Sequence, residues 1–265
     1  MTSRRSRISV RGGSGFGDAL YVQAVARYFV EQGHLVEACS NYPDVFWPLR
    51  ARCHASGFRR NATVIAHYAL RRRMLTDQFQ DCCIQAGLDA DAVELRLDWE
   101  TRNLALVGEI LAAARGRPIV AVLLPRTPMA RTDGVFDVLL PDCRVLQLAV
   151  DLAQARGAFV VQVGAGEPLW KLSGIDLDLA NRTKSSGDVV DVVRAADACI
   201  GYISFMVPLA ESLNKPMLAV WSRRGLEASN PLVARLTPQK VIHKKDLVGA
   251  VVDDCSDVEL EVGIW

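Results

Sequence analysis

Residues 8–18 read Ile-Ser-Val-Arg-Gly-Gly-Ser-Gly-Phe-Gly-Asp, and they run straight into a stretch with Leu20, Val22, Val25, Ala26, Phe29 and Val30 at helical spacing. That order predicts a short strand, a glycine-rich turn and an acid at the start of a helix. Glycines at 12, 13, 15 and 17 let the backbone turn sharply and approach a bound molecule closely. Asp18 falls where free N–H groups and the helix dipole favour a carboxylate. Two roles are open to it. It is a cap, or it points into a crevice at the carboxyl ends of parallel strands, where open α/β folds bind ligands.

Two nucleotide-binding motifs do not fit this stretch. The dinucleotide motif needs G-x-G-x-x-G, whereas Gly13, Gly15 and Gly17 are spaced by two throughout, although Glu37 stands near the offset of a ribose-binding acid. A phosphate-binding P-loop needs a Lys followed by Ser or Thr after the glycines, and none follows here.

Outward from this stretch the pattern continues as strand, helix, strand. A second strand is expected over 35–39, another over 62–67, a helical region near 74–86 and an apolar helix over 101–114. That helix stops at Arg115-Gly116-Arg117-Pro118, where glycine and then proline end it. The pattern then restarts. Strands are expected at 119–124, 158–163, 198–202 and 217–221, with helices at 142–156, 187–196 and 206–214 between them. Apolar strands alternating with helices are the signature of parallel sheets covered on both faces. The fold class is therefore α/β, with two Rossmann-like parallel-sheet halves facing a cleft. The expected division is 1–117, 118–245 and an acidic, Val-rich tail at 246–265.

With 31 Lys plus Arg against 30 Asp plus Glu, the 265-residue chain carries a net charge of +1, which gives no support for a whole-surface nucleic-acid binder. Local basic runs at Arg59-Arg60, Arg71-Arg72-Arg73, Arg223-Arg224 and Lys244-Lys245 read as solvated surface or as a basic groove. The seven cysteines are scattered, and none forms a metal-spaced pair. With no apolar signal region behind Arg4, Arg5 and Arg7 and no apolar run near 18 residues, they suggest a reducing cytoplasm and no transmembrane helix. No clustered His and no metal-spaced cysteines are present, so no metal and no cofactor are expected.

Two stretches together resemble one family. Gly13-Ser14-Gly15-Phe16-Gly17-Asp18 resembles the glycine-rich, Gly-Asp-ending loop of the heptosyltransferase-like glycosyltransferases, glycosyltransferase family 9, which has the GT-B fold. Asp188 to Asp197, strand 198–202 and Ser204 to Trp221 resemble that family's donor-site half, with Asn181-Arg182-Thr183 in the place of a short Gly-Lys-Thr-like segment. Departures are plain: where the family has Asp-Thr-Gly and then a His, this chain has Ile203-Ser204-Phe205 and Pro208, and only the hydroxyl survives.

The resemblance implies a metal-independent transfer of a sugar from a nucleotide-activated donor to an acceptor hydroxyl. Asp18 would be the catalytic base, with Gly13, Ser14, Gly15 and Gly17 forming the acceptor-side loop. Arg126, Thr127, Arg131, Gly164, Gly166, Ser204 and Glu211 would hold the donor. Arg suits a diphosphate through its planar fork, and glycines suit a base or ribose laid on backbone. The acceptor would be a glycan, or a modified nucleic acid if the basic runs form a groove. The missing Asp and Gly keep two other readings open: a non-catalytic nucleotide-binding or scaffold protein, and a nucleotide-sugar epimerase or hydrolase.

Overall fold

The computed structural model describes residues 6–57, 62–68, 78–125, 143–164, 166, 168–202, 204–221 and 247–251. The chain divides into two compact units, Met1–Glu100 and Thr101–Trp265.

The first unit runs β1 (Arg7–Arg11), α1 (Phe16–Glu31), β2 (Leu35–Cys39), a 3-10 turn (Pro43–Leu49), β3 (Cys53–Ser56), β4 (Val64–Ile65) and α2 (Gln78–Gln85). Its strands are parallel in the order β3-β2-β1-β4. α1 begins two residues before Asp18, because Gly15 and not Asp18 takes the cap position. The helix region expected at 74–86 is seen from Gln78, and its first residues lie outside the described part.

The second unit runs α3 (Leu104–Ala114), β5 (Ile119–Leu123), α4 (Cys143–Ala155), β6 (Phe159–Val163), β7 (Leu177–Asp178), α5 (Ser186–Ala195), β8 (Ala198–Tyr202), α6 (Met206–Ser212), β9 (Met217–Trp221) and β10 (Leu247–Val251). Its order is β10-β9-β8-β5-β6-β7, parallel throughout. Numbered from its own first strand, that is 3-2-1-4-5-6, the doubly wound nucleotide-binding order. The first unit repeats its opening, 3-2-1-4.

The two sheets are not covered alike. β5, β6 and β8 are buried at every residue, as apolar runs in a two-sided parallel sheet must be. Val120, Val122, Ile200 and Leu218 pack there with Leu146 and Val150 of α4. The first unit's strands alternate instead: in β1 only Val10 is buried, and β2 interrupts its apolar residues with Glu37. The expectation of strands buried on both faces holds for β5, β6 and β8 of the second sheet and not for β1 and β2 of the first. Gly12 explains the buried face. A Cβ there would sit 2.5 Å from Val22 Cγ2 and 2.6 Å from the Ala66 carbonyl, so α1 closes directly on the end of β1.

The units part between Glu100 and Thr101, earlier than the boundary at 117. The reason lies at the start of α3. Asp191 of α5 is fully buried and accepts hydrogen bonds from the Arg102 N–H (3.1 Å) and the Asn103 N–H (2.7 Å), while Asn103 Nδ2 donates to Asp188 (2.8 Å). Leu106, Ile110 and Ala114 bury α3's inner face. The helix ahead of the glycine-proline stop therefore belongs to the second unit. The stretch assigned to a tail also contributes, since Leu247–Val251 pairs with β9 as an added parallel strand. On the other side of the division, Val93, Leu95, Leu97 and Trp99 are buried on alternate positions of an extended segment. Arg27 of α1 fixes that segment, donating to the Arg96 carbonyl (3.1 Å) and to the Glu94 carbonyl.

Candidate functional site

In the first unit the glycine turn lies at the carboxyl end of β1, where the strand order reverses between β2 and β4. Asp18 is the third residue of α1 and reaches back to accept a hydrogen bond from the Gly15 N–H at 2.9 Å. It satisfies one of the free donors at the helix start. Gly13 is glycine for a steric reason: a Cβ would fall 2.3 Å from Asp18 Oδ2. Asn41 and Tyr42, just past β2, brace the turn. Asn41 Nδ2 donates to the Ser14 carbonyl (3.3 Å), and Tyr42 stacks on Phe16 with ring centroids 5.1 Å apart. Asp18 is only half-buried, and Ser14 is exposed. The structure thus brings Gly13, Ser14, Gly15, Gly17 and Asp18 into one turn whose carboxylate is held at a fixed place.

In the second unit the carboxyl edge carries the loops after β5, β6, β7 and β8. The loops after β6 and β7 are tied together. Asn181 N–H (3.1 Å) and Thr183 Oγ1 (3.2 Å) both donate to the Gly164 carbonyl, and the Asn181 side chain bonds both the N–H and the carbonyl of Gly166. Gly164 and Gly166 have φ of 131° and 80°, and Asn181 has φ of 66°. Both glycines therefore occupy backbone states that side chains resist. Leu169 N–H donates to the Pro125 carbonyl (2.7 Å), which joins the loop after β5 to the same group.

Ser204 lies two residues past β8. Its hydroxyl donates to the Tyr202 carbonyl (3.2 Å) and accepts from the Met206 N–H (3.3 Å), so it stabilises the turn into α6. Glu211 stands in the last turn of α6, about 7 Å of helix rise from Met206. Arg126, Thr127 and Arg131, expected at the diphosphate, lie outside the described residues, as do the basic runs 59–60, 71–73, 223–224 and 244–245.

Sequence reading missed the acids on α5. Ser185 caps that helix and Asp188 returns the bond, accepting from the Ser185 N–H (3.1 Å), the Lys184 N–H (2.7 Å) and Asn103 Nδ2. Burial pushes the Asp188 carboxyl up, and these hydrogen bonds outweigh it, so it lies below the ordinary carboxylate range. The signal was in the sequence: Ser185-x-x-Asp188 is a capping box, and Asp191 lies one turn further on the same face. A cavity of about 460 Å³ opens beside Arg102, Asn103, Ser185, Gly187, Asp188 and Asp191. Helix starts favour anions, but here the two carboxylates already occupy the N–H groups that an anion would take. The cavity is a helix junction and not a phosphate site.

Two other groups are inert. Burial pushes the Cys199 and Cys53 thiols up to about 12, so neither is a thiolate nucleophile near neutral pH. Among the described residues no group of His, Cys, Asp and Glu is arranged to hold a metal ion, and no helix is long and apolar enough to cross a membrane.

No protein-family profile and no curated protein matches the sequence. Solved structures do match. The chain superposes on E. coli ADP-heptose LPS heptosyltransferase II over 93% of its own length and 90% of that chain, with a TM-score of 0.56 and 12% identity. It matches the bacterial iron-containing dodecameric glycosyltransferase TibC from enterotoxigenic E. coli H10407 with a TM-score of 0.54 and 14% identity, over 81% of its own length. The chain spans about 60% of TibC, which has also been solved in complex with ADP-D-beta-D-heptose. A glycosyl transferase family 9 structure from Veillonella parvula DSM 2008 matches with a TM-score of 0.53 and 10% identity, over 82% of this chain and 80% of that one. At these identities the likeness is one of fold: the chain carries, in divergent form, the α/β fold of the heptosyltransferase-like glycosyltransferases of family 9.

Proposed function

We propose that the protein is a metal-independent glycosyltransferase of GT-B type that takes its sugar from a nucleoside-diphosphate donor. The reading is carried by a fold likeness running nearly the whole length of heptosyltransferase II, joined to an acid placed on the glycine turn at the switch point of the first sheet. The first unit supplies Asp18 as the base that takes the acceptor hydroxyl proton. The second unit holds the donor on the loops of Gly164, Gly166 and Ser204, with Arg126, Thr127 and Arg131 toward the diphosphate and Glu211 toward the ribose. As the acceptor oxygen bonds to the sugar's anomeric carbon, the bond to the diphosphate breaks, and the diphosphate leaves as an anion that N–H groups and arginines stabilise.

The neighbour solved with ADP-D-beta-D-heptose makes ADP-sugars the first donors to test. The experiment is a thermal-shift panel of nucleotide sugars, followed by turnover with and without a chelator. A donor at a hundredfold excess over its dissociation constant adds about 2.7 kcal/mol of stability. A panel with no shift removes the donor site from this reading. Turnover lost to the chelator removes metal independence.

A second reading follows from Ser204. Its hydroxyl is the one group left where the family has Asp-Thr-Gly, and it is engaged with the Tyr202 carbonyl. On this reading the protein binds a nucleotide without turning it over, and a thermal shift appears with no product.

A further inference from the structure

Arg11 is the last residue of β1, paired across to Cys39 of β2 and Ile65 of β4, at the point where the strand order reverses. Val10 is fully buried, and the space beside Gly12 belongs to α1, so strand alternation puts Arg11 on the opposite face of the sheet. There its Nε is buried without a hydrogen-bond partner, while the residue as a whole is only partly covered. Among the described residues Arg11 forms no ion pair either. The carboxylates nearest in the sequence and the sheet are committed: Glu37 lies 3.7 Å from Arg7, and Asp18 holds the Gly15 N–H. A buried donor on a permanent charge, left unmatched, costs free energy that the fold does not recover on its own. The residues that follow, Gly12 and Gly13, put no side chain over the end of the strand.

We propose that Arg11 is the anchor of an oxyanion-binding site in the first unit, taking one phosphate or carboxylate group through its guanidinium fork. This site is independent of the donor reading. It lies on the other unit from the donor loops and stands whether or not the protein transfers a sugar. If the proposed function holds, the anion is a group carried by the acceptor.

The test uses the full-length protein labelled with nitrogen-15, and follows the arginine Nε–H signals while inorganic phosphate is added. A parallel titration uses acetate. The Arg11 signal is identified by its absence in Arg11→Lys. The expected result is a saturable shift of that signal and of the neighbouring Gly12 and Gly13 backbone amides, with the affinity read from those amides at least tenfold weaker in Arg11→Gln. Saturation by phosphate alone marks a phosphate ester as the natural group, and saturation by acetate alone marks a carboxylate. No saturable shift with either anion overturns the proposal, as does equal affinity in Arg11→Gln. Should Arg11→Gln fail to fold by circular dichroism, the wild-type signal decides by itself, since a bound anion must move the Nε–H it contacts.

Discussion

Asp18 holds two properties that a single substitution separates. Its carboxylate closes the start of α1 through the Gly15 N–H, and the same group is the proposed base. Asn accepts that hydrogen bond as well as Asp does, so Asp18→Asn is expected to fold with a near-native melting temperature. Turnover should fall by about two to four orders of magnitude, the usual contribution of a general base. Asp18→Ala should lose the cap too, at about 1 kcal/mol in chemical denaturation. Gly13→Ala tests the same carboxylate from outside. Its Cβ falls 2.3 Å from Asp18 Oδ2 and must displace it, so turnover should drop although no reacting group has been removed. Near-native turnover in Asp18→Asn, measured on the true acceptor, would leave Asp18 as a cap alone. The sequence showed the acid and the glycines but not their division of labour, because a cap and a base call for the same residue at the same place.

Elements were legible where one periodicity ruled and obscure where tertiary partners did. β2, β8 and β9 occur over the residues their apolar runs mark, 35–39, 198–202 and 217–221. α3 was legible as a helix but not as a member of the second unit, because that membership rests on Asp191, 88 residues away along the chain. Asp191 is fully buried and serves the N–H groups of Arg102 and Asn103, so Asp191→Ala takes the acceptor from two partly buried donors at the start of α3. A fully buried donor left so costs about 1–3 kcal/mol, and with these two partly buried, equilibrium denaturation should show a loss toward the lower end of that range. A loss below about 0.5 kcal/mol would mean that water replaces the carboxylate.

Asp188 gives the junction a pH dependence of definite sign. Its folded carboxyl lies below the ordinary value, because the hydrogen bonds from Asn103, Lys184 and Ser185 outweigh the upward push of burial. A depressed carboxyl adds stability above the unfolded value of about 3.9 and loses it as pH falls toward the folded value. Wild type should therefore lose stability faster than Asp188→Asn below about pH 4, and the two should run parallel above about pH 6. Unfolding midpoints across that range check it, and a steeper acid loss in the Asn variant would reverse the sign.

At the scale of the whole molecule, two sheets share one opening strand order and differ in covering. The second has three strands, β5, β6 and β8, buried at every residue and a carboxyl edge knitted by Gly164, Asn181 and Thr183; the first has half-buried strands and an acid on its turn. The repeat of strand and helix was legible because burial writes apolar runs into the sequence. The weaker covering of the first sheet is written there too, since β1 alternates polar and apolar residues from Arg7 to Arg11 and β2 carries Glu37 among its apolar residues, and a reading that looked only for apolar strands passed over it. The proposed function places the nucleotide on the second unit, and hydrogen exchange tests that directly. With saturating ADP, amides at 159–166, 177–185 and 198–207 should exchange more slowly, because a ligand on those loops must leave before they open. Amides at 7–18 should exchange at the rate of the free protein, since the first unit has its own sheet and its own glycine turn. Slowing confined to 7–18 would place the nucleotide on the first unit and make Asp18 a nucleotide neighbour, and the acceptor and donor roles assigned to the two sheets would then have to be exchanged.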